Sequence, residues 1–265
     1  MANHFAGKTV VLSGSSAGIG RATAEALLAQ GATVHGLDRQ AAAVSHDSFR
    51  HHHLEATEAE SWQSVASAVL AESPVVDVLI NNAGISLVEE THALTFSQWR
   101  RVLDINFLGT MLGTRAFYPH MVARKSGHVV NVASVAGAAG YAGAQAYAAS
   151  KGAILGFSRS LRHEARHHRV RVTTACPGYV DTAIYDGEAT PTANSTELKG
   201  SFPVRLIPAE KAADHLLHGI AAGRKNIVFP LSGKLLHFTA LWCPALLGPV
   251  HRKLLRGLSA SRTKA

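Results

Sequence analysis

Ser13-Gly14-Ser15-Ser16-Ala17-Gly18-Ile19-Gly20 decides how this chain folds. It follows the apolar, β-branched run Thr9-Val10-Val11-Leu12 and leads into Arg21-Ala22-Thr23-Ala24-Glu25-Ala26-Leu27-Leu28, whose Ala and Leu suit a helix. A strand that turns through three glycines into a helix is the opening of a βαβ unit. The glycines let the backbone turn tightly and approach a pyrophosphate, whose charge the N–H groups and dipole of the helix start would hold. The spacing is G-x-x-x-G-x-G, not the G-x-G-x-x-G of the dinucleotide fingerprint, and a glycine turn alone could equally be a plain tight connection.

Outward from this turn, short β-branched runs alternate with longer Ala/Leu-rich segments of helical period. Strands are expected at 9–13, 33–37, 51–54, 75–80, 128–132, 170–175 and 227–229. Helices are expected at 20–30, 58–72, 97–121, 146–168 and 208–222, the last with Pro208 in its first turn. The fold class is therefore α/β: a Rossmann-like, doubly wound sheet of seven mainly parallel strands with helices on both faces. The stretch 179–205 breaks the alternation with Gly, Pro, Thr, Ser and Asn and reads as a substrate lid. Residues 1–230 are expected to form one nucleotide-binding and catalytic domain, and 231–265 an extension that is apolar and then basic. The run His51-His52-His53 invites a metal site, but at strand spacing before Leu54 it reads as a surface strand; no metal is expected.

With 47% hydrophobic and 17% charged residues, the 265-residue chain can bury a full core. Its two cysteines, Cys176 and Cys243, lack metal-ligand spacing and are too few for a disulfide framework, and the N-terminus does not resemble a signal peptide. A cytoplasmic protein is expected, with a peripheral membrane association as the second possibility. The net charge of +8 is uneven: from His215 onward there are eight Lys and Arg and no Asp or Glu. A recognition helix or base-stacking aromatics are not apparent, so nucleic-acid binding is not expected.

Asp38 closes the second expected strand, where a carboxylate can accept both adenosine ribose hydroxyls and repel a 2′-phosphate, favouring NAD over NADP. Arg39, next to it, could instead pair with that phosphate, so NADP stays open. Tyr147-Ala-Ala-Ser-Lys151 lies in a helical segment, placing phenol and ammonium on one face at i and i+4. A cation there would stabilise the phenolate and bring Tyr147 nearer the pH at which a general acid/base works. An aromatic and a lysine at this spacing are also common on an ordinary helix surface.

Taken together, Gly14-x-x-x-Gly18-Ile19-Gly20, Asn81-Asn82-Ala83-Gly84, Asn106, Ser134, Tyr147-x-x-x-Lys151 and Pro177-Gly178 resemble the single-domain branch of the short-chain dehydrogenase/reductase family, from Gly7 to Thr182 and again near Ile227. The resemblance implies an NAD(P)-dependent oxidoreductase interconverting a secondary alcohol and a ketone or aldehyde. Tyr147 would be the acid/base, Lys151 would hold the nicotinamide ribose, Ser134 would bind the reacting oxygen, and Asn106 would hold a water on the proton path. It also implies that Gly14, Ser16, Gly18, Ile19, Gly20, Asp38, Arg39, Asn82, Ala83, Gly84, Tyr147, Lys151, Pro177, Gly178, Val180 and Thr182 contact the cofactor. Two positions depart from the family: Ser13 stands where Thr is more usual, and Glu55 where Asp usually sits beside the adenine. The long helices at 97–121 and 146–168 resemble those used to build dimers and tetramers, so a homodimer or homotetramer is expected.

Substrate identity falls to 136–144 and the lid. The first is small and apolar apart from Tyr141, which suggests an apolar substrate with Tyr141, Ser134 and Tyr147 against it. Beyond Phe229, Leu235 to Val250 is strongly apolar and Arg252-Lys253-Leu254-Leu255-Arg256 is basic. Intersubunit packing or closure over the substrate site is the favoured reading; contact with an anionic membrane surface is the other. A catalytically silent, nucleotide-binding sensor or scaffold is the competing function, and the complete set of Asn106, Ser134, Tyr147 and Lys151 argues against it.

Overall fold

The computed structural model describes residues 4–186, 196, 199, 200, 202 and 204–262, with side chains through Leu258. In chain order it forms β1 (Thr9–Ser13), α1 (Gly18–Ala29), β2 (Thr33–Asp38), β3 (Phe49–His53), α2 (Ala59–Glu72), β4 (Val78–Asn81) and α3 (Phe96–Leu103). A π-helical segment (Asp104–Leu108) leads into α4 (Gly109–Arg124), β5 (His128–Val132), α5 (Ala136–Ala139) and α6 (Gln145–His167). Then follow β6 (Arg171–Pro177), β7 (Val180–Asp181), β8 (Ile207–Pro208), α7 (Ala209–Ala221), β9 (Asn226–Phe229), α8 (Leu231–Trp242) and α9 (Gly248–Arg262).

Seven strands pair in parallel in the order β3-β2-β1-β4-β5-β6-β9, and β7 pairs with β8 in a separate two-stranded sheet. The order reverses between β1 and β4, so a crevice opens at their C-terminal ends, where the glycine turn lies. Side-chain alternation assigns the two faces. Val10 and Leu12 of β1 point into a core with Leu27 of α1 and Leu216 of α7, whereas Val11 points into one with Trp62, Phe117 and Leu161 from α2, α4 and α6.

The seven expected strands are present, with small shifts at their ends. β3 begins at Phe49 because Val34 of β2 pairs with it, and β4 begins at Val78, in register with Val10 and His128. The single helix expected over 97–121 is three segments. Thr95 caps the first in a capping box with Gln98, and the π segment widens the middle. Between β4, β5 and the helices behind them runs a buried polar chain: Asn81 donates to Thr114 and Asn131, and Asn131 donates to Ser158. Helices α8 and α9 were not foreseen; Leu236 of α8 and Leu254 and Leu258 of α9 pack against the body of the fold. Of the expected lid, 187–195, 197, 198, 201 and 203 lie outside the described residues.

Candidate active site

The glycine turn is built for close approach. Gly14 has φ +70°, and a Cβ there would sit 2.8 Å from Ala83 Cα; a Cβ on Gly20 would collide with the Gly14 carbonyl. The Ser13 hydroxyl accepts from the backbone N–H groups of Asn82 and Ala83, each at 3.1 Å, while the Asn82 amide donates to the carbonyls of Ser13 and Gly14, also at 3.1 Å. Asn82-Ala83-Gly84 thus clamps the turn to the end of β4, and the hydroxyl shared by Ser and Thr is the part that matters at position 13. Helix α1 starts at Ala17 without a side-chain cap and has no acidic residue in its first turn, so its positive end faces the crevice uncompensated. The Ser15 and Ser16 hydroxyls beside it are buried and have no partner among the described residues. Thr182, in the chain after β6, forms the opposite lip: its methyl lies 3.1 Å from where a Cβ on Gly18 would be.

Asp38 is anchored at the end of β2, one carboxylate oxygen accepting from Ser16 N at 2.9 Å and the other from Gln40 N at 3.0 Å. Arg39 is exposed. Glu55 turns to His53, with which it pairs at 3.2 Å, and its backbone N–H donates to Ser61.

Four further residues converge at the other side of the crevice. Tyr147 and Lys151 lie one turn apart on α6, with Lys151 Nζ 5.7 Å from the centre of the tyrosine ring. Lys151 Nζ donates to the Val132 carbonyl at 2.9 Å, and burial pushes its pKa down to about 8. Ser134, just past β5, lies beside the Tyr147 phenol; its hydroxyl donates to the Pro177 carbonyl at 3.4 Å and accepts from Ala136 N at 3.1 Å. Burial raises the phenol's pKa and outweighs the opposing pull of the Ser134 hydroxyl. The downward pull expected from Lys151 is therefore not the dominant influence on Tyr147 in the protein alone. Asn106 sits in the π segment, fully buried; its amide accepts from Ile85 N at 2.8 Å and donates to Ile85 O and Ser150 Oγ, each at 2.9 Å. Ser150, which the sequence did not single out, donates in turn to the Tyr147 carbonyl at 2.7 Å.

Ser134, Tyr147 and Lys151 open onto a cavity of about 960 Å³, counting its mouth, while Asn106 stays behind them in the core. Ile19, Asn82, Gly84, Ser134, Tyr141, Tyr147, Lys151, Pro177, Gly178, Val180 and Thr182, all expected at the site, line it. Gly14, Ser16, Gly18, Gly20, Ala83 and Asn106 do not line it, and neither do Asp38, Arg39 and Glu55, which lie toward the β2–β3 end of the crevice. On the far wall Val88, Tyr179, Phe202, Leu254 and Leu258 form one apolar cluster; Tyr179 and Phe202 belong to the expected lid, whereas Val88, Leu254 and Leu258 were not singled out in the sequence. The i, i+4 spacing of Leu254 and Leu258 between basic residues was the available signal. Tyr141 stacks on Tyr179 at 5.4 Å, and burial raises the pKa of both phenols, that of Tyr179 to about 12. Cys176 is buried and its thiol is pushed up to about 12, which leaves it no thiolate character at neutral pH. No cluster of three or more His, Cys, Asp or Glu suited to a metal occurs among the described residues, and no helix of the described residues is long and apolar enough to cross a membrane.

Known proteins share this arrangement. Residues 8–191 match the model of the family described as short chain dehydrogenase. The protein SadH of Mycobacterium tuberculosis, named as an oxidoreductase, is 32% identical over 247 residues, covering 87% of this chain and 88% of its own. A 3-alpha-(or 20-beta)-hydroxysteroid dehydrogenase of the same organism is 32% identical over 192 residues, covering 70% and 74%. Two solved short-chain dehydrogenases superpose closely. One, from Burkholderia phymatum in complex with NAD, has TM-score 0.77 and 25% identity over 95% of this chain and 96% of its own. The other, from Burkholderia cenocepacia in complex with NADP, has TM-score 0.80 and 24% identity over 95% and 98%. On the family match and the relatives 32% identical to it, the chain belongs to the short-chain dehydrogenase family and is an oxidoreductase of that family.

Proposed function

We propose that this enzyme uses NAD(P) to interconvert a secondary alcohol and a ketone, or an aldehyde, on an apolar small molecule, with Tyr147 as general acid/base. The observation that carries the proposal is the meeting of Tyr147, Ser134 and Lys151 at one end of an apolar cavity whose other lip is the glycine turn. The residues present suit a dinucleotide. Gly14 and Gly20 form a cradle that a Cβ would fill, the uncapped start of α1 and the unpartnered Ser15 and Ser16 hydroxyls suit a pyrophosphate, and Asp38 suits a free ribose. Asp38 favours NAD; of the two solved relatives, one was solved with NAD and the other with NADP.

Bound in this crevice, the nicotinamide supplies or accepts the hydride. Lys151 and Tyr147 line the cavity beside Pro177 and Gly178, where Lys151 would reach the nicotinamide ribose, and Val180 and Thr182 would flank the carboxamide and phosphates. In the reducing direction Ser134 donates to the carbonyl oxygen and Tyr147 gives it a proton as hydride reaches the carbon. Its raised pKa keeps the phenol protonated and ready as an acid. In oxidation the same phenol must take the alcohol proton, and the positive charge of Lys151 supports that step. Asn106, through Ser150, ties the π segment to the turn of α6 that carries Tyr147.

The cavity's far wall of Val88, Phe202, Leu254 and Leu258 supports an apolar substrate, and the hydroxysteroid dehydrogenase relative acts, by its name, on a hydroxyl of such a molecule. Fluorescence titration with NADH and NADPH, followed by turnover assays on apolar secondary alcohols and ketones with wild type and Tyr147→Phe, tests the proposal. Cofactor binding by both proteins and turnover by wild type alone is the expected result. Binding of neither dinucleotide would overturn it, and binding by the wild type without turnover of any such substrate would favour a silent, nucleotide-binding sensor or scaffold.

A further inference from the structure

Helix α8 wears its apolar residues on the outside. Leu231, Leu235, Phe238 and Trp242 recur at i, i+4, i+7 and i+11 and so form one stripe, yet they are 79, 68, 59 and 72% exposed. Leu241 and, in the turn that follows, Leu246 widen the stripe and are exposed too. The residues facing the protein are Gly233, Leu236, His237 and Ala240: Gly233 is buried against Gly178, and Leu236 joins the cluster beside the cavity. The helix is therefore already seated on the fold by its small inner face. The large outer side chains are surplus to that packing, and a contiguous apolar patch of this kind marks a contact with something else.

Charge identifies the partner. Lys234 lies on the stripe itself, and Arg252 and Arg256 of the adjoining helix α9 are exposed, as is Lys253, whose ammonium also donates to the Phe202 carbonyl at 3.3 Å, while no Asp or Glu occurs from His215 to Ala265. A second copy of the chain meeting this face across a twofold axis would bring the same cations against one another. A lipid surface carrying negative headgroups would instead neutralise them and take up the apolar stripe. Trp242, against Phe238 with ring centres 6.3 Å apart, is a residue type at home in the boundary between headgroups and acyl chains. Twelve residues of α8 reach only about 18 Å, short of the ~30 Å apolar core of a bilayer, so the helix can lie on a membrane and not cross it. We propose that the outer face of α8, with the basic residues of α9 beside it, docks this enzyme on the surface of an anionic membrane.

The dock also bears on the cavity. Helix α9 faces the cavity through Leu254 and Leu258, and Leu236 on the inner side of α8 packs in the same apolar cluster as the cavity wall. The apolar end of the pocket thus lies behind the inner side of α8, with the helix between it and the lipid. The membrane proposal itself stands on the stripe and its charges and does not depend on which substrate the enzyme turns over.

Cosedimentation of the full chain with phosphatidylcholine vesicles and with vesicles of phosphatidylcholine and phosphatidylglycerol tests it. Binding is expected to the anionic vesicles, weakened at high salt, and at least tenfold weaker for Phe238→Glu/Trp242→Glu at an unchanged melting temperature and unchanged NADH titration. Wild-type tryptophan fluorescence should also be quenched by brominated acyl chains in the anionic vesicles, and Trp242→Phe should bind yet lose that quenching, a readout independent of how the double variant folds. Failure of the wild type to sediment with anionic vesicles would overturn the proposal, as would undiminished binding by a folded double variant. A double variant whose molecular mass in light scattering falls to that of a smaller oligomer while its vesicle binding persists would also overturn it, and would make the stripe a seam between copies.

Discussion

The Asn106 amide and the Ser150 hydroxyl lie 2.9 Å apart, joining the π-helical segment to the helix that carries Tyr147 and Lys151. Ser150 passes the contact on to the Tyr147 carbonyl, so the backbone that carries the acid/base is tied to the π segment. Ser150→Ala leaves Asn106 its two bonds to Ile85 and removes only this link. The expected cost is about 1 kcal/mol of stability. As a positioning residue, Ser150 should affect kcat several-fold with little change in KM for either substrate; equal loss in both would show that it merely supports the fold.

Lys151 makes the reduction sensitive to alkali. Its ammonium is buried and held down to about 8, so the cation is present below that pH and lost above it. The kcat/KM for carbonyl reduction, which reports the free enzyme, should be level below about pH 8 and decline above it. Lys151→Arg keeps its charge throughout this range and should abolish the alkaline decline, even at a reduced overall rate.

Asp38 is the expected discriminator between the two dinucleotides. Because its oxygens also accept from Ser16 N and Gln40 N, Asp38→Asn is the gentler probe, retaining one acceptor and removing the charge. NADH binding should weaken by about tenfold, the scale of one charge-assisted hydrogen bond, while NADPH binding holds or improves. Parallel fluorescence titrations give the ratio directly, and an unchanged ratio would remove Asp38 from selectivity.

At the cavity's far wall, Leu258→Ala removes methylene and methyl groups from the surface facing the proposed substrate. At about 0.8 kcal/mol per buried carbon, KM for an apolar substrate should rise roughly ten-fold or more, with kcat nearly unchanged because the contact is the same in ground and transition states. Steady-state kinetics on substrates of increasing apolar length separates this from a general loss of activity, which would affect short and long substrates equally.

Two buried histidines predict acid sensitivity. His128 Nε2 meets Thr173 Oγ1 at 2.8 Å, and Thr173 donates its own hydrogen to the Arg224 carbonyl, so Nε2 carries the ring proton and Nδ1 has no partner among the described residues. A second proton would be buried unpaired, and burial holds the pKa at about 3; His35, between His52 and Ser73, is held at about 4. Both lie below the unfolded value of 6.5, so the unfolded chain binds more protons in acid and stability falls as pH drops below 6.5 toward 4. The slope should be about 1.4 kcal/mol per pH unit for each histidine. Urea melts between pH 7.5 and 4.5 measure it, and His128→Asn should flatten the slope by about one histidine's share.

Much of this enzyme was written locally. The short apolar, β-branched run Thr9-Val10-Val11-Leu12, the glycines that only a tight strand-to-helix turn requires, and the i, i+4 pair Tyr147 and Lys151 are short-range patterns, and backbone sterics translate them into strand, turn and helix without reference to the rest of the chain. Their order along the sequence sufficed for a parallel sheet and for the family. Other features arise only when distant segments meet. Ser150 acquires a role because the π segment swings Asn106 onto it, Glu55 is drawn to His53 by side-chain geometry, and burial, which depends on everything packed around Tyr147, raises a phenol that a neighbouring lysine was expected to lower. The C-terminal extension shows the division most plainly: its apolar and basic composition was evident, but which leucines close the cavity and which face outward was decided by how α8 and α9 lie against the fold, since helix orientation is set by long-range packing and not by local sequence.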